Sequence, residues 1–97
     1  MKFLNIRPSN TAGKKFDAIF ETDSGRTKTV PFGAAGMSDY TINKDEERKE
    51  RYLARHSKRE NWNKPDSAGA LSRWILWNKP TFEASLRDYK QRFFSNK

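Results

Sequence analysis

The apolar material of this chain is aromatic. Its 97 residues include seven Phe, three Tyr and three Trp, against only ten Leu, Ile and Val together. Leu, Ile, Val and Phe come to 17 residues, under the ~20% level at which a highly charged chain tends to stay unfolded. Each large ring buries roughly 150–250 Å² when internal, so a stable fold requires rings to take the place of aliphatic side chains in the core. The length admits one such core, and hence one small domain spanning residues 1–97.

The rings fall on two periodicities. In the first third, Leu4 and Ile6, then Phe16, Ala18 and Phe20, then Lys28, Val30 and Phe32 alternate with their neighbours, the period-two pattern of three strands within 1–32. Asp23-Ser24-Gly25 supplies a short hairpin connection, and Pro31 restricts the third strand to an edge or ends it there. Gly33 to Tyr40 is a small-residue connector, with Gly36 suited to a positive φ.

The helical part spans 43–94. A polar helix begins near Asn43, paired with Glu46 in the manner of a capping box, and ends around Trp62 to Lys64, ahead of Pro65. Only Tyr52 and Leu53 are large and apolar on it. A buried helix capped by Asp66 or Ser67 runs to about Trp77, and its Gly69 implies a close approach by another helix. A third helix carries Phe82, Leu86, Tyr89 and Phe93 on one stripe, with Glu83, Arg87, Lys90 and Arg92 outside. The expectation is an α+β fold, a three-stranded antiparallel sheet followed by three helices in a single compact domain. Its core comprises Leu4, Ile6, Phe16, Phe20, Val30, Phe32, Leu71, Ile75, Phe82, Leu86, Tyr89 and Phe93, with Trp74 and Trp77 also packed inside.

Twenty Lys and Arg against 12 Asp and Glu give a net charge of +8. Lys44, Arg48, Arg51, Arg55 and Lys58 recur at spacings of 4, 3, 4 and 3, which lines them along one helix face, with Arg59 beside them. Such a stripe suits a phosphate backbone, and Trp62 and Tyr40, in polar segments, could stack on unpaired bases. The bland alternative is a solvated face partly neutralised by pairs such as Glu47 and Arg51. The partner expected is nucleic acid, DNA in preference to RNA. The alternative is a protein-interaction module that binds acidic proteins, since an acidic protein surface presents the same charge.

Catalytic and metal readings are weaker. Without cysteine there is no thiolate nucleophile or cysteine-based metal site, and one histidine cannot build a multi-His cage. Asp39, Tyr40, His56 and Glu60 near Arg55 could be gathered into an acid–base group, but His56 and Glu60 one helical turn apart read more simply as an ion pair. Gly33-Ala34-Ala35-Gly36 lacks the Gly-Lys-Ser/Thr of a phosphate loop. No catalytic residue, metal or cofactor is expected, and neither is membrane association, because no apolar run approaches the ~20 residues of a span.

The strings Gly36-Met37-Ser38-Asp39-Tyr40-Thr41, Asn43-Lys44-Asp45, Arg48-Lys49, Tyr52, Arg55-His56, Glu60-Asn61-Trp62 and Ala68 to Thr81 resemble a family of small basic proteins of unassigned function encoded by large double-stranded DNA viruses of algae and protists. The resemblance covers about half of the chain. It implies a viral origin, with residence inside an infected host cell or in the virion, makes the alternative a virion structural or protein-interaction module that binds acidic coat or core proteins, and carries over no activity. Met37 and Asn43 stand where that family has Tyr and His, which removes support for metal or acid–base chemistry at position 43.

Overall fold

The computed structural model describes residues 1–94. Three antiparallel strands, β1 (Lys2–Pro8), β2 (Lys14–Glu21) and β3 (Thr27–Ala34), form one sheet in the order β1-β2-β3. The helices that follow are α1 (Tyr40–Asn43), α2 (Glu46–His56), α3 (Ala68–Leu71), which continues as a π-helical turn over Ser72–Leu76, and α4 (Phe82–Phe94). The fold is α+β. Its radius of gyration, 13.1 Å, is that of a single compact domain of about this length.

β2 is central and supplies the period-two pattern of its sequence: Ala18 and Phe20 are fully buried, and Phe16 packs beside them. β3 lies at an edge, where Pro31, opposite Asp17, can do without a ladder donor. β1 departs from the expected alternation. Its register against β2 shifts between Phe3, opposite Phe20, and Asn5, opposite Ile19, so Leu4 is the extra residue of a bulge. The bulge puts Phe3 and Ile6 against the core and leaves Leu4 51% exposed. Leu4 is therefore not a core residue, and Phe3 takes the place assigned to it.

Against the sheet's inner face, α4 lays its aromatic stripe. Phe82 meets Phe16 at 5.2 Å between ring centroids, Tyr89 meets Phe3 at 5.7 Å, and Phe94 meets Phe20 at 6.1 Å. Such tilted and edge-on pairs are favourable beyond their buried area. The Tyr89 hydroxyl donates to the Pro65 carbonyl at 2.7 Å, and burial raises the pKa of this phenol. Ser67 caps α3, its hydroxyl accepting from the Ala70 amide at 3.2 Å. The π-helical turn, closed by the Trp77 amide donating to the Ser72 carbonyl at 3.1 Å, widens the helix by one residue per turn. Ile75, Leu76 and Trp77 are all buried in succession there. Trp74 is partly buried against the same core.

Between sheet and core helices, the long polar helix expected from Asn43 to about Trp62 is the shorter α2, and a separate short helix, α1, precedes it. Lys44 adopts φ 52°, a left-handed conformation that ends α1, so Asn43 is not a helix N-cap. Asp39 caps α1, and Asp45 caps α2 by accepting from the Arg48 amide at 3.2 Å. α2 stops at His56, well before Trp62, and the chain turns there, with the Arg59 amide donating to the His56 carbonyl at 3.0 Å. Helical structure thus begins at Tyr40 rather than Asn43, and the last strand extends to Ala34 rather than Phe32.

Candidate nucleic-acid interface

α2 owes its stability to its ends. Glu46 and Glu47 occupy the first turn, and Arg55 and His56 the last, each sign matched to the helix dipole. None of its residues is buried. It is attached by the Tyr52 ring, which stacks on Trp77 at 4.4 Å and 7° between planes, with His56 stacked at 4.2 Å from the same ring. Polar tethers add to this: Lys49 Nζ donates to the Asn78 carbonyl at 2.7 Å and sits 4.7 Å from the Tyr40 ring centre, and the Tyr40 hydroxyl donates to Glu46. The Glu46 carboxylate raises the Tyr40 pKa. Burial, reinforced by the Glu60 carboxylate and opposed by the Ser72 hydroxyl, pushes Tyr52 up to about 12. Both phenols are protonated near neutral pH.

This docking leaves Arg48, Arg51 and Arg55 exposed on α2, followed by exposed Lys58 and Arg59 in the turn after it. Among the described residues none of these five has a carboxylate within 4.0 Å. Three other residues proposed for the interface are already engaged. Lys44 closes α1, its Nζ donating to the carbonyls of Thr41 at 3.0 Å and Pro80 at 2.8 Å. Tyr40 is 4% exposed and has no face free for a base. Trp62 is half-buried, donates through Nε1 to Glu60 at 2.9 Å, and has the Arg73 guanidinium 5.4 Å from its ring. The helical stripe thus shrinks to three arginines, because the positive φ at Lys44 and the early end of α2 take Lys44, Lys58 and Arg59 off the helix.

Beside α2 lies a cleft of about 590 Å³. Arg48, Tyr52, Arg55 and His56 form one wall, Gly33 and Ala34 of β3 another, and Ala68, Gly69 and Leu76 a third, with Lys14 and Lys15 from β2 completing it. Asp39 and Glu60 also face it, but both are occupied. Asp39 is 2% exposed, pairs with Lys15 Nζ at 2.6 Å and accepts from the Thr41 hydroxyl. Glu60 accepts from His56 Nδ1 at 2.8 Å and from Trp62 at 2.9 Å. Glycine at 69 is what allows this: a Cβ there would lie 3.0 Å from Glu60 Cδ. The close approach implied by Gly69 is that of the Glu60 side chain rather than of a helix.

Lys14 and Lys15 were not among the candidate residues. In sequence they follow the Gly13 turn, and only the pairing of Lys14 with Ala34 brings them to the connector and thence to α2. Asp39, Arg55, His56 and Glu60 do converge on the cleft, without Tyr40. Among the described residues no three His, Asp or Glu side chains are grouped as metal ligands, and no helix is long and apolar enough to cross a membrane.

Residues 4–56, from β1 to the end of α2, match the model of a family of unknown function, DUF5754. No curated protein and no solved structure matches the chain. The matched segment includes Lys14, Lys15, Arg48, Arg51 and Arg55, and stops short of Glu60 and Trp77.

Proposed function

We propose that this chain, which belongs to the family of unknown function DUF5754, binds nucleic acid through the phosphate backbone without strong sequence specificity. The observation that carries the reading is the set of exposed cations Arg48, Arg51, Arg55, Lys58 and Arg59, none of them neutralised by a carboxylate among the described residues. A merely solvated helix face would be expected to hold ion pairs one turn apart, and Glu47 and Arg51, spaced for one, form none within 4.0 Å. Cations without protein partners can displace the counterions of a polyanion, and the release of those counterions drives the association.

The test is the salt dependence of binding to duplexes of unrelated sequence. Log affinity should fall linearly with log salt, by about 0.9 for each phosphate neutralised on B-DNA. Replacing Arg51 and Arg55 with Ala should flatten that slope by roughly two units. Replacing Arg26 and Arg87, exposed in the β2–β3 turn and on α4, removes the same charge elsewhere. Equal losses from the two pairs would reduce the effect to net charge. No binding near physiological salt would overturn the reading and redirect attention to an acidic protein partner.

A further inference from the structure

The cleft beside α2 shares Arg48 and Arg55 with the cationic face of that helix and adds Lys14 and a concave apolar wall. We propose that it is a binding site for a single nucleotide 5′-monophosphate unit, with the phosphate held by Lys14, Arg48 and Arg55 and the sugar and base against Ala34, Met37 and Ala68. The inference rests on the reading of the chain as a nucleic-acid binder and deepens it, because it names the unit recognised and requires that unit to be unpaired.

Three features carry it. The volume, about 590 Å³, falls within the roughly 300–1,000 Å³ of small-molecule sites; it admits one nucleotide and excludes a paired helix. The charge fits a phosphomonoester. Lys14, Lys15, Arg48 and Arg55 face Asp39 and Glu60, two positive charges in excess from these side chains, and a phosphomonoester carries about −1.5 to −2 at pH 7. Moreover, Lys15 is consumed by Asp39 at 2.6 Å, while Lys14, Arg48 and Arg55 have no carboxylate within 4.0 Å among the described residues.

The third feature is the lining. Leu76 and Lys15 fill the space over Gly33, and Glu60 fills that over Gly69, so the apolar surface offered to a planar ring is that of exposed Ala34, Met37 and Ala68. Tyr52 cannot serve as the stacking platform, since His56 and Trp77 already stack on its ring. Its hydroxyl, protonated near neutral pH, remains a donor. Asp39 and Glu60 do not defeat an anion here, because the charge of Asp39 is offset by Lys15 and that of Glu60 is outnumbered by Lys14, Arg48 and Arg55.

The experiment is a titration of the full chain with adenosine 5′-monophosphate, followed by amide and indole NMR. Shifts at Gly33, Gly69 and Trp77, with adenosine and inorganic phosphate each binding at least tenfold more weakly, are the expected result. Lys14→Ala with Arg48→Ala should weaken the nucleotide at least tenfold, and Arg26→Ala with Arg87→Ala should leave it unchanged. A 5′-phosphorylated single-stranded oligonucleotide should compete for the same resonances, which identifies the unit as part of a strand; a free nucleotide that no strand displaces would overturn that identification. If inorganic phosphate binds as well as the nucleotide, or if the shifts map away from the cleft, the inference fails. Duplex binding with its full salt slope but no cleft shifts from any nucleotide overturns the inference alone. Nucleotide binding with neither duplex nor single-strand binding overturns the backbone reading instead.

Discussion

α2 and α4 are amphipathic helices of 11 and 13 residues, and they are held to the same domain by opposite means. α4 puts Phe82, Leu86, Tyr89 and Phe93 into a cluster of rings that reaches every strand. α2 contributes no buried residue and rests on one stacked ring, Tyr52, and a few polar tethers. With so few aliphatic residues, the chain builds a single core and commits its rings there. The outlying helix is left with a surface free to carry charge, so the same scarcity that limits stability also creates the cationic face.

The comparison breaks most sharply at the two tyrosines. Tyr89→Ala should cost about 3–5 kcal/mol, the usual range for a fully buried ring, and it also deprives the Pro65 carbonyl of its donor. A domain this small should then be largely unfolded. Tyr52→Ala should cost roughly half as much, because the ring is only half-buried, and its effect should be local. Urea denaturation measures the global losses. Native-state amide exchange should show α2 opening below the global free energy while α4 amides exchange only through unfolding. Equal costs, or α2 amides protected as strongly as those of α4, would erase the distinction.

Two glycines sharpen it at the next level. Gly33 has φ 79° and its missing Cβ would lie 2.9 Å from Leu76 Cδ1 and 3.0 Å from Lys15 Cβ. Gly33→Ala should therefore destabilise by about 1–3 kcal/mol, through backbone strain and overpacking against the core. Gly69→Ala meets only Glu60, whose carboxyl end can swing aside while its Cβ, 3.2 Å away, must give by a few tenths of an ångström, and alanine favours the helix by up to about 1 kcal/mol. Its melting temperature should change little. The displaced Glu60 should nonetheless release His56 and Trp62, seen as altered His56 ring and Trp62 indole resonances. A large loss of stability at Gly69 would mean that Glu60 is held more rigidly than its contacts imply.

How far these two regions could be read in one dimension follows from the same contrast. The stripe Phe82, Leu86, Tyr89 and Phe93 and the alternation Phe16, Ala18 and Phe20 were legible because burial imposes a period on sequence. Leu4 misled because a bulge shifts that period by one residue, and nothing local distinguishes Leu4 from Phe3. α2 has little burial to impose a pattern, so its charge spacing ran on past its true ends. The cues that stop it, a left-handed Lys44 and the turn after His56, reside in the backbone. The cleft was the least legible part: Lys14 and Arg48 are far apart in sequence and meet only because β2 pairs with β3 and the connector then returns past them.

The smallest expected effect concerns an ionic link in the core half. Lys28 Nζ donates to Asp66 at 2.7 Å, joining β3 to the segment that enters α3. The Lys28 hydrogen bond is the main cause that holds the Asp66 carboxyl below its ordinary value of 3.8, against a smaller opposing contribution from burial. A carboxyl whose pKa is lowered by folding contributes stability that is fully present above the unfolded value. That contribution is lost as the pH falls through the folded one. Lys28→Met should thus lower stability at pH 7 by at most about 1 kcal/mol, since Lys28 is largely solvated and such pairs are weak. The difference between wild type and variant should vanish on acidification below the folded pKa. It should also shrink with added salt. Amide protection in α2 should be indifferent to the substitution, because the link lies wholly between the strand and α3; parallel loosening of α2 would show that the two regions are coupled more tightly than their contacts indicate.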